Sequence, residues 1–423
     1  MLIRFFYTLI LALVAPLLLF GLYKSKPNKP KFGKRWKEHF GITPKLTSSQ
    51  RPIWIHAVSV GESIAATPLI KEIKKQNPEQ PIIVTTTTST GAEQIEKLGS
   101  LVEHRYMPID FGFAVKGFLK AIQPKKMLII ETELWPNTLH QVSKFGVPIT
   151  VVNARLSQKS RNNYAKFQPV FNIIEPYLTK VLCQSQSDSD HFESLGVAKS
   201  KLAITGSIKF DIQISDEVRA KGKALRSELG VKRPVWIAAS THKGEDEKIL
   251  DAHKDILSVH PNALLILVPR HPERFDCVFE LCNNARFNSV RRTTNQSVTT
   301  ETQVYLADTM GEMLILMGSA DVCFMGGSLL GDKVGGHNVL EPAALGVAVV
   351  NGPSYYNFKD ITEELIIESG IKISKPQEIS NNIINLINDE NLNRSIRQSA
   401  QNVVKRNQGS LVHTIALSKL EDY

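Results

Sequence analysis

The sequence predicts an α/β protein: two doubly wound parallel-sheet domains facing a cleft, preceded by an N-terminal membrane-anchor helix. Three observations lead there. From residue 51 onward, short β-branched runs alternate with amphipathic stretches, the pattern of parallel strands with helices on both sheet faces. The alternation pauses in a charged helical stretch at 213–233 and then restarts. Residues 5–23 carry no charge at all. With 423 residues, 42% hydrophobic and 22% charged, the chain is long and apolar enough for two such domains and unlike a disordered one.

The first element is the run FFYTLILALVAPLLLFGLY. As a helix it would extend ~28 Å, close to the hydrocarbon thickness of a bilayer, and Pro16 is tolerated in that setting. A cleaved signal peptide would have a shorter apolar core and a small-x-small site before polar sequence. Here the run ends at residues 21–23 and meets a basic block, so 1–23 reads as an uncleaved anchor. Residues 1–37 hold eight Lys/Arg and no Asp or Glu. The net charge of +10 therefore belongs to the tail, and the remainder carries only +2. A near-neutral body argues against nucleic acid as a partner. Seven of the eight basic residues follow the run, which places the body on the cytoplasmic side of the membrane. Residues 24–50 are expected as a basic membrane-proximal linker, with one short helix around Trp36, held against anionic lipid head groups.

Strands are expected at 52–58, 81–87, 127–132, 148–154, 180–185 and 201–206, giving a first domain over 51–212. After the charged stretch, strands return at 234–240, 263–269, 303–308, 321–327 and 347–352, within a second domain over 213–423 that ends in helices from about 387. Cys183 and Cys323 lie in apolar runs and read as buried small hydrophobes; the four cysteines show neither CxxC nor zinc-finger spacing. No dinucleotide GxGxxG, no P-loop and no HExxH string is present.

In doubly wound sheets ligands sit beyond the carboxyl ends of strands, so the residues following each strand are the candidates. After the first strand comes HAVSVGES, with Glu62 at a helix start. It reads either as a helix-dipole partner or as a general base, with the tension that a helix dipole lowers a carboxyl pKa. Ser59 sits in an AxSxG string, a variant of the nucleophile elbow, but on the first strand of its domain rather than a later one. Glu131 and Glu133 open ETELWPN, where they act at the cleft or cap the next helix. Lys209 in GSIKFD is either a cation for an anionic ligand or a solvated linker lysine. In the second domain, Arg270 suits a phosphate or carboxylate, DTMGE opens a helix, and GGS and GGHNVLEP frame a glycine-rich loop. Together these place anion-binding features after four successive strands and point to a nucleotide phosphate.

As a set, HAVSVGE, ETELWPN, GSIKFD, AASTHKGE, VPRHPERF, DTMGE and GGHNVLEPA resemble the motifs of the 3-deoxy-D-manno-oct-2-ulosonic acid (Kdo) transferases of lipopolysaccharide assembly, in order along almost the whole chain. The resemblance implies a GT-B glycosyltransferase with two Rossmann-like domains, the acceptor on the first and the donor CMP-Kdo on the second, and a C-terminal helix that returns to the first. It implies inverting transfer of Kdo to the lipid A precursor lipid IVA, with no metal or other cofactor. Glu62 matches the family's base, and Glu131 and Lys209 match residues that stabilise the transition state. Pro269, Arg270, Met310, Gly311, Glu312, Asn338, Val339, Leu340 and Glu341 match its CMP-binding segments. The spacer 329–334 is longer than the family pattern. Other readings are a GT-B enzyme with a nucleoside-diphosphate donor, a membrane-tethered serine hydrolase using Ser59, and a nucleotide-binding scaffold without activity.

Overall fold

Why the strands read as unbroken apolar runs is visible in their packing. In the computed structural model, which describes residues 2–24, 30–294 and 296–420, successive side chains of the first sheet drop into two separate cores. Trp54, Ile83, Met127, Ile129 and Val151 join one, while Ile53, Ile55, Val84, Leu128 and Ile130 join the other. A sheet covered on both faces has no polar side to alternate with. Met1, the linker lysines Lys26 and Lys29, and residues 421–423 lie outside the described residues.

The chain forms two units, Met1–Asp211 with Asn407–Tyr423, and Ile212–Arg406. Unit 1 contains β1 (Ile53–His56), β2 (Ile82–Thr86), β3 (Glu103–Tyr106), β4 (Lys126–Ile130), β5 (Ile149–Ala154), β6 (Lys180–Cys183) and β7 (Leu202–Ile204). They form one sheet in the order β3-β2-β1-β4-β5-β6-β7, with every pairing parallel. Unit 2 contains β8 (Val235–Thr241), β9 (Leu264–Pro269), β10 (Ser289–Arg291), β11 (Val304–Leu306), β12 (Val322–Met325), β13 (Ala348–Asn351) and β14 (Lys372–Ile373). Its order is β10-β11-β9-β8-β12-β13-β14, again parallel throughout. Strand order reverses between β1 and β4 in unit 1 and between β8 and β12 in unit 2. At such a reversal the flanking helices diverge and leave a crevice beyond the strand ends.

The apolar run forms a helix, Leu2–Tyr23, long and apolar enough to cross a membrane. The expected linker is not slack. Its 3-10 helix Gly33–Phe40 buries Glu38 and His39, and the Glu38 carboxylate accepts the Tyr106 backbone N–H at 2.7 Å. Gly41 lies so close to the helix Gly112–Ile122 that a Cβ there would sit 2.1 Å from the Ala114 carbonyl oxygen.

The second unit ends earlier than the 213–423 span expected from sequence, because residues from Asn407 onward group with unit 1. The helix Ser410–Leu417 is held at both ends by unit 1 side chains. Asp211 accepts the N–H groups of Gly409 and Leu411, both at 2.6 Å. The buried Lys126 ammonium donates to the carbonyls of Ser418 and Lys419. An acid at the start and a cation at the end both complement the helix dipole. Between them Leu411 and Ile415 enter the core shared with Ala66, Leu69 and Ile70 of the helix Val60–Gln76. Asp211→Ala should cost about 1–2 kcal/mol, the usual loss of a helix cap, and speed amide exchange within 410–417. Unchanged exchange in that segment by mass spectrometry would show that the cap does not hold the helix.

Candidate functional site

The β1–β4 crevice gathers acids. Ser59 is the N-cap of the helix Val60–Gln76, its hydroxyl oxygen accepting the Glu62 N–H at 3.2 Å. The Ser59 hydroxyl donates to one Glu62 carboxylate oxygen at 2.9 Å, and the Val58 backbone N–H donates to the other at 2.7 Å. Ser59 is thus engaged as a reciprocal cap, and its hydroxyl is bound to a carboxylate rather than to a histidine. Glu62 is only 8% exposed. Burial pushes its pKa up to about 7; the bonds from Val58 and Ser59 oppose this, and the nearby Glu131 and Glu133 add to it. Burial outweighs the two hydrogen bonds that hold the carboxylate.

Glu131, just after β4, adopts a left-handed conformation, φ 63°, which is costly for a residue with a Cβ and recurs at functional sites. Lys209, in the 3-10 helix Ile208–Phe210, faces it with Nζ 3.4 Å from Oε1. That helix is fixed by Asn153 of β5, also left-handed at φ 54°, whose Oδ1 accepts the Ile208 N–H at 3.1 Å. The Asn153 amide nitrogen, the Ser207 hydroxyl and His56 Nε2 are buried without a hydrogen-bond partner among the described residues. His56 packs edge-on against Trp135, and burial lowers its pKa to about 4, so it is neutral. Glu133 accepts the Trp135 indole N–H at 3.0 Å, and burial, then Glu131, raise its pKa despite that bond. Three carboxyls and one ammonium thus converge, and Asn153 is the member that sequence reasoning missed. Its signal was its place at the end of a strand, matching that of Glu131.

In unit 2, the β8–β12 crevice is stitched by Glu245, fully buried, which accepts the N–H groups of His242, Gly327 and Leu329. Burial raises its pKa and these three bonds lower it. Close approach demands glycine at Gly326, where a Cβ would lie 2.6 Å from the Ser240 carbonyl oxygen. Pro269 ends β9, buried, and Arg270 follows it, exposed. Arg270 faces Glu341, whose pKa is raised by burial and lowered by Asn338 and Arg270. Asn338 donates to Glu341 at 3.3 Å and accepts the Leu340 N–H at 3.1 Å, with Val339 and Leu340 buried beneath. Beside them stand three histidines that the sequence reading quoted without a role. His242 and His337 bring their Nε2 atoms within hydrogen-bond distance, 2.8 Å apart, with His271 edge-on at 5.2 Å. Burial holds His242 at about 4 and His337 at about 3.

The DTMGE string divides. Met310 is exposed and Gly311 adopts φ 85°. Asp308 is committed to the fold, accepting from Arg291 and Thr293. Glu312 forms a two-pronged pair with Arg292, both contacts at 2.7 Å, which holds its pKa near 2. Arg292 also donates to the Tyr305 hydroxyl at 2.9 Å, beside a cavity of about 670 Å³. The helix after it, Met313–Met317, is only five residues long, so its dipole is slight. The long spacer folds into a 3-10 turn, Gly331–Lys333, tied down by Ser354, Tyr356 and Asn357.

Comparison with known proteins gives consistent findings. Residues 34–212 match the family model described as 3-deoxy-D-manno-octulosonic-acid transferase (kdotransferase). The chain is 38% identical over 420 residues to a 3-deoxy-D-manno-octulosonic acid transferase of Haemophilus influenzae, covering 98% of each chain. It is 32% identical to the enzyme of that name from Bordetella pertussis, covering 85% of each. Among solved structures it resembles the UDP-GlcNAc 2-epimerase of Neisseria meningitidis (TM-score 0.54, 12% identity, 87% of this chain and 100% of that one) and a glycosyltransferase of Rickettsia africae (TM-score 0.53, 13% identity, 88% and 98%). These structural likenesses establish the GT-B fold class.

The raised Glu62 pKa makes a prediction about stability. A carboxyl that titrates at about 4.5 unfolded and about 7 folded favours the fold below pH 4.5 and loses that contribution as pH rises through 7. Glu62→Gln, which cannot ionise, should gain stability over the wild type progressively from pH 4.5 to 7, by at most about 3 kcal/mol, and hold that gain above. Urea unfolding of both proteins across this range checks it; a pH-independent difference would exclude the raised pKa.

Proposed function

Given that the chain belongs to the 3-deoxy-D-manno-octulosonic acid (Kdo) transferase family, and so is a glycosyltransferase that moves Kdo, we propose that it takes the sugar from CMP-Kdo and passes it, with inversion, to a hydroxyl of lipid IVA at the cytoplasmic face of the inner membrane. The observation that carries this reading is Glu62. A carboxyl beyond β1, buried beside two other carboxyls and titrating near pH 7, has the properties of a general base for an alcohol.

In this reading Glu62 removes the acceptor proton as the oxygen attacks the anomeric carbon of Kdo and the bond to the CMP phosphate breaks. Val58 and Ser59 fix the carboxylate, one donor on each oxygen, so that each oxygen keeps a lone pair for the proton. Lys209, oriented by Glu131, offers its ammonium to the sugar acid's carboxylate or to charge developing at the reacting centre. In unit 2, Arg270, carried at the end of β9 by Pro269, takes the phosphate, with Glu341 and Asn338 orienting the guanidinium. The exposed Met310, the Gly311 backbone and Glu312 with Arg292 bind the nucleoside, and residues 338–341 complete that surface.

Glu62→Gln should lower kcat about 10²–10⁴-fold with CMP affinity unchanged; activity near wild type, measured by mass spectrometry of the lipid product, would remove Glu62 from the role of base. Wild-type kcat should rise with pH through about 7 as Glu62 ionises. Arg270→Ala should weaken CMP binding by about 1.5–3 kcal/mol, the worth of charge-assisted hydrogen bonds; equal affinities by calorimetry would place the phosphate elsewhere.

A further inference from the structure

The helix Leu2–Tyr23 does not project away from unit 1. Near its start, the Tyr7 hydroxyl hydrogen-bonds Asp110, and Thr8 accepts from the Asn137 amide at 2.9 Å. Near its end, Leu22 packs on the Phe32–Tyr106 cluster and the Tyr23 hydroxyl meets His39 Nδ1 at 2.7 Å. These attachments are ~22 Å apart along the helix axis, so the helix lies along unit 1. No residue of the helix is buried, and Leu13, Leu17 and Phe20 are each at least two-thirds exposed. A row of large apolar side chains of this kind is at rest only against lipid or another apolar surface.

Between this helix and the body runs an apolar groove of about 650 Å³. Phe6, Tyr7 and Ile10 form one wall, and Tyr164, Phe167 and Val170 the other. Phe167 is 67% exposed. Two further features say what enters the groove. The helix Gln158–Lys166, which supplies Tyr164 of the second wall, carries Lys159, Arg161 and Lys166, with Lys159 and Lys166 exposed. The groove is therefore apolar inside and basic on its flank, the complement of an anionic amphiphile. Second, Tyr164 links the groove to the acidic crevice. The Tyr164 ring lines it while the Tyr164 hydroxyl donates to the Thr132 carbonyl at 3.4 Å, between Glu131 and Glu133 in the chain.

We propose that this groove takes an acyl chain of the lipid acceptor, drawn from the surrounding leaflet along the N-terminal helix, and so positions the acceptor's sugar at the carboxyl ends of β1 and β4. The proposal rests on the acceptor being an acylated, anionic glycolipid, as in the reading above. It assigns Tyr164 and Phe167 a positioning role, acting through the lipid rather than on the reacting atoms.

The test compares two acceptors with the full-length chain in detergent micelles at saturating CMP-Kdo: lipid IVA and its fully deacylated disaccharide. Asn163→Trp fills the groove from its exposed rim, and Phe167→Asp places a charge in its wall. Each should raise KM for lipid IVA about tenfold, the loss of burial for about two methylene groups. Each should leave KM for the deacylated acceptor within about twofold, with kcat, melting temperature and flotation with anionic phospholipid vesicles unchanged. Equal effects on both acceptors, or no effect on either, would overturn the proposal. So would a rise in KM that tracks lost flotation, since the groove would then hold bilayer lipid instead. Failure of the wild type to use either acceptor would overturn the proposed reaction itself, a result distinct from the others.

Discussion

Burying a carboxylate where a parallel sheet reverses its strand order is the constraint on which both units depend. The reversal leaves a crevice at the strand ends, and the loops around it must be joined by something polar. In unit 2 that is Glu245, which receives three backbone N–H groups and is spent on holding the β8 and β12 loops together. In unit 1 the corresponding acid, Glu62, receives two donors and faces two other carboxyls. The same residue type in the same topological place is thus structural in one unit and, in the proposed reaction, reactive in the other. The difference lies in how completely its charge is satisfied.

Around these acids the cations follow a division of labour. Arg291 and Arg292 are paired with Asp308 and Glu312 and are rigid for that reason. Lys209 has a single long contact to Glu131, and Arg270 is exposed beside Glu341. Charges with complete partners shape a cavity, and charges with incomplete ones are able to exchange a protein partner for a ligand.

Most of the fold was legible in the sequence because central parallel strands are apolar on both faces. The strands that sequence reading passed over, β3, β10 and β14, all lie at sheet edges, where EHRY, SVR and KI lack the continuous hydrophobic signal. At the site, Glu62, Glu131, Lys209 and Arg270 were legible as polar residues after strands. Their relationships were not. The pKa of Glu62 depends on carboxyls about seventy residues away in sequence, and Asn153 and Arg292 gain their roles only from contacts that cross the sheet. The packed linker was also hidden, since its polar composition masks the burial of Glu38 and His39.

The clamped C-terminal helix has a consequence for biosynthesis. Unit 1 is interrupted in the chain by all of unit 2. At a synthesis rate of about 5–20 residues per second, roughly 10–40 s pass between the emergence of Asp211 and that of Asn407. During that interval the apolar strip of the helix Val60–Gln76 is uncovered, and Lys126 waits for the carbonyls of Ser418 and Lys419. The N-terminal apolar helix has long since left the ribosome. With the membrane location proposed above, the nascent enzyme reaches lipid before its first unit is whole, and that unfinished strip is where a chaperone would find it.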